Sequence, residues 1–294
     1  MNQVLEVLAL AIIFAAPFGE GGRAPAMLCA LQALSLGIIF LPLLLPRGGG
    51  RAYRWGAAAR PLISGLTAAL GLCILAALRA SYPLGAAFGL LDLAVPAGLF
   101  LALLRAPADP RLVARLRTGI ALSTLLQAGL ALFRWTRAAG LAAGALAAGA
   151  SFLNPDHLGA FLNLGLILWL SQALEALERG ERRRGFVGLL SVALHLFAIL
   201  VLMSRGALVG LAAALFLLLV SRLRTGSVRG RLVAGLVLGL VLTLGSGMVI
   251  LRFARGDDPY RYQRLSIWRA SIGLLAERPL LGFGPGMFRY EGPR

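Results

Sequence analysis

Nine long apolar runs divide this chain, and arginine is shared unequally among the gaps between them. The runs span roughly 3–18, 25–45, 61–79, 83–104, 117–133, 157–177, 186–203, 206–221 and 232–251. Each is at or near the ~20 residues that a helix needs to cross a hydrocarbon core. Inside lipid a segment has no water to satisfy its backbone, so these runs must be helices. Counted from the N-terminus, the even gaps hold Arg47, Arg51, Arg54 and Arg60; Arg105, Arg111, Arg115 and Arg117; Arg179, Arg182, Arg183 and Arg184; and Arg222, Arg224, Arg229 and Arg231. The odd gaps before the last hold only Arg23, Arg79, Arg134, Arg137 and Arg205, and the chain contains no Lys. Basic loops stay on the cytoplasmic side. The pattern therefore predicts a cytoplasmic N-terminus, with the odd gaps and everything after Arg252 on the outer face.

Composition agrees with this division. Hydrophobic residues make up 59% of the 294, and only 14% are charged; the mean hydropathy is +0.83. The expected fold is an all-α polytopic helical membrane bundle of about nine transmembrane helices plus an interfacial periplasmic helix. A net charge of +17 would point to nucleic acid in a soluble chain. Here topology and anionic headgroups account for the arginines, and no nucleic-acid partner is expected. Cys29 and Cys73 both fall inside apolar runs and imply neither a disulfide framework nor a metal site. The first run lacks a basic leader and reads as a retained span.

Three regions follow: transmembrane helices over 1–135, a core membrane region over 136–251, and 252–294 as the start of a periplasmic loop. That last stretch does not return to the membrane, so the sequence is expected to be truncated at its C-terminus. Pro61 and Pro83 stand where helices begin, where a missing N–H costs nothing. Gly140, Gly144 and Ala148 have small-xxx-small spacing, but their segment is too short to cross alone. A crossing there would also invert every later gap, so 138–156 is expected to be re-entrant or interfacial on the outer side. On a helix from Tyr260 to Glu277, Leu265, Trp268, Ile272 and Leu275 form one apolar stripe beside Arg261 and Arg264. This is the pattern of a helix lying at a membrane surface. Pro279 ends it, and Gly282-Phe283-Gly284-Pro285-Gly286 cannot continue it.

Few residues can carry chemistry. Arg205 sits between two apolar runs, where a guanidinium is costly unless it snorkels or meets an anion. It either grips a lipid phosphate or, with Ser204 and the amides opening the next helix, forms an anion site. Arg261, Arg264 and Arg269 add positive charge on the same side, and converging guanidiniums suit a diphosphate without a metal ion. Asn154-Pro155-Asp156-His157 opens the sixth run. Asn154 or Asp156 can cap that helix, and Asp156 or His157 can face a polar substrate. His195 reads as a packed histidine. Asp92 is either functional or held by a neighbouring helix. The spacing of Gly282, Gly284 and Gly286 follows no strand, so it is not a dinucleotide loop.

Together these segments resemble the O-antigen ligase family, the lipid-linked glycan ligases and polymerases of bacterial envelopes. The resemblance rests on Asn154-Pro155-Asp156-His157, Ser204-Arg205-Gly206 and Arg264-Leu265-Ser266-Ile267-Trp268, followed by Pro279-Leu280-Leu281-Gly282-Phe283-Gly284-Pro285-Gly286. It covers roughly residues 140–294. It implies transfer of a glycan from undecaprenyl diphosphate to an acceptor glycolipid, commonly a sugar of lipid A–core, at the periplasmic face of the inner membrane. Membrane lipids are the other partners, and no cofactor or metal is needed. By the resemblance, Arg205 and Arg264 hold the diphosphate, with Arg261 a helper. The family's catalytic histidine lies in a His-Asn segment beyond the glycine-rich run, and neither His157 nor His195 corresponds to it. Two rivals accompany this reading. One is a repeat-unit polymerase, which needs the same leaving-group site. The other is a multi-span transporter relaying protons through Asp92 or His195, which predicts inverted repeats that the sequence does not display.

Overall fold

The computed structural model describes residues 2–18, 24–44, 59–105, 110–138, 149, 151–152, 154–225, 228–254 and 263–292. They form α1 (Asn2–Ala15), α2 (Pro25–Leu44), α3 (Ala59–Leu78), α4 (Pro83–Arg105), α5 (Pro110–Arg137), α6 (Pro155–Glu178), α7 (Arg182–Val201), α8 (Arg205–Thr225), α9 (Val228–Ala254), α10 (Gln263–Glu277) and α11 (Phe288–Glu291). No strand occurs among the described residues. The helices α3 to α9 supply seven segments long and apolar enough to cross a membrane, and α1 and α2 contain shorter apolar helices. The chain is a polytopic helical membrane bundle.

Each apolar run of the sequence falls on one of α1 to α9. Proline opens α2, α4, α5 and α6, because its fixed φ suits the first turn and its absent N–H would have had no helical partner. The helix α5 begins at Pro110, earlier than the apolar run at 117. Arg111 and Arg115 extend it, since arginine is a good helix former whose head can reach water beyond a buried stem. The expected re-entrant stretch 138–156 lies mostly outside the described residues.

The chain divides into two units, one of residues 1–9, 32–109 and 258–294, the other of 10–31 and 110–257. In the second unit α6 is the central helix, touching α5, α7, α8 and α9. Its Leu158, Leu162, Leu166, Leu170 and Leu174 are fully buried. Steps of four residues advance 40° beyond a full turn, so these leucines sweep roughly 160° of the helix surface. That is the signature of a helix surrounded by partners. Glycines bring those partners close: a Cβ on Gly188 would stand 2.7 Å from Ala173 Cβ, and one on Gly159 would stand 2.6 Å from Ala207 Cβ. In lipid, where helix association gains nothing from removing water, such small-residue contacts supply much of the attraction.

The helices α6 and α8 run parallel and pack directly on each other, with α7, antiparallel to both, against α6. At the arginine-rich end of this unit, Arg222 Nη1 donates to Glu178 at 3.1 Å, tying α8 to α6. Gly180, at φ 77°, makes the turn from α6 into α7. At the other end Met203 adopts φ 52°, a left-handed conformation that costs a side chain of this kind about 1–2 kcal/mol. This turn holds the chain reversal between α7 and α8 to three residues. Within the first unit, Gln32 Nε2 donates to Asp92 Oδ1 at 3.3 Å, which gives the intramembrane carboxylate a partner on a neighbouring helix.

Candidate functional site

The end of the second unit where α6 and α8 both begin gathers five of the polar residues singled out from the sequence. Asn154 caps α6: its backbone is extended (φ −113°, ψ 119°) and its side chain accepts the Asp156 N–H at 2.8 Å. Pro155 fills the first helical position, and Asp156 follows in a turn where the helix dipole favours a carboxylate. Across the interface, Ser204 caps α8 by accepting the Ala207 N–H at 3.1 Å. The Ser204 hydroxyl in turn donates to Asp156 Oδ1 at 2.5 Å. One carboxylate thus couples two helix N-termini, and Arg205 is the first residue of the helix so fixed.

Two residues that the sequence reading did not single out hold this geometry. Gly159 is the point of contact with Ala207. Asn163, one turn further along the same face of α6, donates from Nδ2 to the Ala207 carbonyl oxygen at 2.8 Å. Interhelical hydrogen bonds in membranes contribute about 0.6 kcal/mol each, so Asn163 sets register more than stability. The available signal was a lone amide in an otherwise apolar run, four residues after a glycine.

Asn154, Asp156, Ser204 and Arg205 therefore share one end of one unit. His157 is exposed beside them. Arg264 lies in the first turn of α10, in the other unit; its side chain and the whole of Arg261 fall outside the described residues. Ser204 is 3% exposed, whereas Arg205 is only partly covered. The serine is thus a structural cap, and the guanidinium is the group that can reach a ligand. The first-turn amides of α8 add donors of the kind that bind phosphate oxygens.

His195 lies apart from this cluster. It is fully buried midway along α7, with Nδ1 2.8 Å from the Ser191 carbonyl oxygen. Its Nε2 has no hydrogen-bond partner among the described residues. That atom faces the gap left by Gly165, where a Cβ would stand 2.6 Å from it and 2.2 Å from Thr124 Oγ1. So close a fit leaves no room for a substrate.

The part of the chain that begins within α7 has a recognisable family likeness. Residues 190–293 match the model of the O-antigen ligase family. This match covers less than half of the chain, from within α7 through α11. It includes Ser204, Arg205, Arg261 and Arg264, while Asn154 to His157 precede it. The O-antigen ligase match supports glycan transfer of the ligase or polymerase type by a multi-pass membrane enzyme. No curated protein matches the chain, and no solved structure does.

Proposed function

We propose that this protein transfers a glycan from undecaprenyl diphosphate to an acceptor sugar, in the manner of an O-antigen ligase, at the periplasmic face of the inner membrane. The observation that carries the reading is the placement of Arg205 at the start of α8, on a turn fixed by Ser204 and Asp156, inside the segment that matches the ligase family. Within this unit the arginine-rich turns at residues 179–184 and at Arg222 lie at the opposite end, and by the positive-inside rule we assign this end to the outer face and the N-terminus to the cytoplasm.

Displacement at an anomeric carbon needs a stabilised leaving group and an activated acceptor hydroxyl. Arg205 and the α8 amides supply preorganised positive potential where the diphosphate charge develops. Because the Asp156 carboxylate stands at the same helix end, one guanidinium cannot balance a diphosphate there. Arg264, with Arg261 as helper, is the complement we assign. The bilayer confines donor and acceptor lipids to one plane, which lowers the cost of bringing them together. Neither His157 nor His195 is assigned as the base that activates the acceptor.

The test is transfer by the purified, reconstituted protein from a lipid-linked oligosaccharide to lipid A–core. Glycan on the core, lost in Arg205→Ala, is the expected result. Lengthened donor lipid in place of modified core would identify a polymerase. Transfer undiminished by Arg205→Ala would overturn the proposed site.

A further inference from the structure

The glycine-rich run near the end of the chain is shaped for close contact. Gly282, Gly284 and Gly286 have φ of 61°, 107° and 73°, a region that side-chain-bearing residues rarely enter. Two of them also sit so close to their neighbours that a side chain would crowd them. A Cβ on Gly284 would lie 3.2 Å from the Ala76 carbonyl oxygen and 3.2 Å from Ala80 Cβ. One on Gly286 would lie 3.2 Å from Gly89 Cα and 3.3 Å from the Gly85 carbonyl oxygen.

The receiving surface, where α3 turns into α4, is stripped in the same way. A Cβ on Gly89 would stand 2.6 Å from the Pro285 carbonyl group, and one on Gly85 would stand 2.9 Å from the Tyr290 ring. Gly85 and Gly89 are four residues apart and so lie on one face of α4. Around this backbone-to-backbone contact, Met287 is fully buried. Tyr290 packs on Tyr82 with ring centroids 4.9 Å apart, and the Ser81 hydroxyl donates to the Glu291 carboxylate. Arg278 lies 4.4 Å over the Phe283 ring, closing the link back to α10.

We propose that residues 282–291 are a latch that fixes α10 to the α3–α4 turn, which makes Gly85, Gly89, Tyr82 and Gly286 positioning residues for the helix that carries Arg264. The helix α10 carries Arg264 and is joined to the latch by residues 278–281 alone. A held latch therefore sets where the C-terminal end of α10 lies, and with it the reach of an arginine that must meet its anion closely. The consequence for transfer rests on the glycan-transfer reading above; the latch itself does not.

The experiment uses the full chain in nanodiscs. With Cys29→Ser and Cys73→Ala as background, Ser81→Cys combined with Glu291→Cys forms a disulfide on mild oxidation; failure to form one overturns the latch. Gly286→Ala and Gly89→Val dislodge it. Amide exchange across 263–277 then speeds up about tenfold, and KM for the lipid-linked donor rises about tenfold while KM for the acceptor holds. Oxidising the cysteine pair in the Gly286→Ala protein restores both values, and reductant removes them again. Loss of kcat alone, with donor KM and α10 exchange unchanged, overturns the positioning role. If the parent protein consumes no lipid-linked donor, the glycan-transfer reading fails, while cross-linking and exchange still decide the latch.

Discussion

Ser204 and Asp156 are joined by a 2.5 Å hydrogen bond across two helices whose N-termini stand side by side. The same hydroxyl caps α8, so one side chain serves both helices. Replacing Ser204 with Ala removes a cap and leaves a half-buried carboxylate without that donor. The expected loss is about 1–2 kcal/mol. Ser204→Thr keeps the hydroxyl and most of the stability. Thermal unfolding in detergent compares the two, and equal midpoints would contradict the shared role.

Arg205 distinguishes charge from geometry. If it holds a diphosphate with two parallel donors, Lys will not replace it, because an ammonium is a point charge without the planar fork. Arg205→Ala is expected to lower kcat for glycan transfer about 10²–10³-fold, the range for removing one preorganised donor. Arg205→Lys should recover only a small part. Turnover of a lipid-linked donor, read beside an unchanged unfolding midpoint, is the measurement.

Gly165 tests the buried face of His195. An added methyl would meet Thr124 Oγ1 at 2.2 Å and His195 Nε2 at 2.6 Å. Gly165→Ala should therefore destabilise the bundle by about 1–3 kcal/mol through overpacking. Combining it with His195→Ala should return part of that loss. A double-mutant cycle by thermal unfolding reads the coupling, and simple additivity would mean the two sites relax independently.

Membrane orientation follows from labelling. In right-side-out vesicles, Gly206→Cys should react with an impermeant maleimide added outside, and Arg183→Cys should react only after permeabilisation. Both are tested with Cys29 and Cys73 replaced. The reverse pattern would place the α6–α8 cap on the cytoplasmic side and end the periplasmic assignment.

The bundle was readable from the chain because its signal is repeated. The nine apolar runs correspond to nine helices among the described residues, seven of them long enough to cross a membrane, since lipid leaves the backbone no other way to satisfy its donors and acceptors. The Asn154 cap was also readable, because capping is a local matter of three or four residues. The partner of Asp92 was not, since Gln32 lies sixty residues away and nothing in the sequence pairs them. Gly159 and Asn163 were missed for a related reason. Their work is done against Ala207, an alanine that carries no signal of its own.

The glycine-rich run shows the same division in one segment. Its spacing alone announced a backbone that departs from helix, and the positive φ values follow from that. Its target, the Gly85 and Gly89 face of α4, could not be inferred, because a close approach between two backbones leaves only absences in the sequence. The sequence by itself determined what is helical, which runs are long and apolar enough to cross a membrane and where the charges collect, since these depend on local periodicity and on the cost of burying charge. Only the tertiary structure decided that Asp156 meets Ser204, that Asn163 reaches α8 and that Tyr290 returns to Tyr82. Such contacts arise from packing between segments distant along the chain, and no local pattern encodes them.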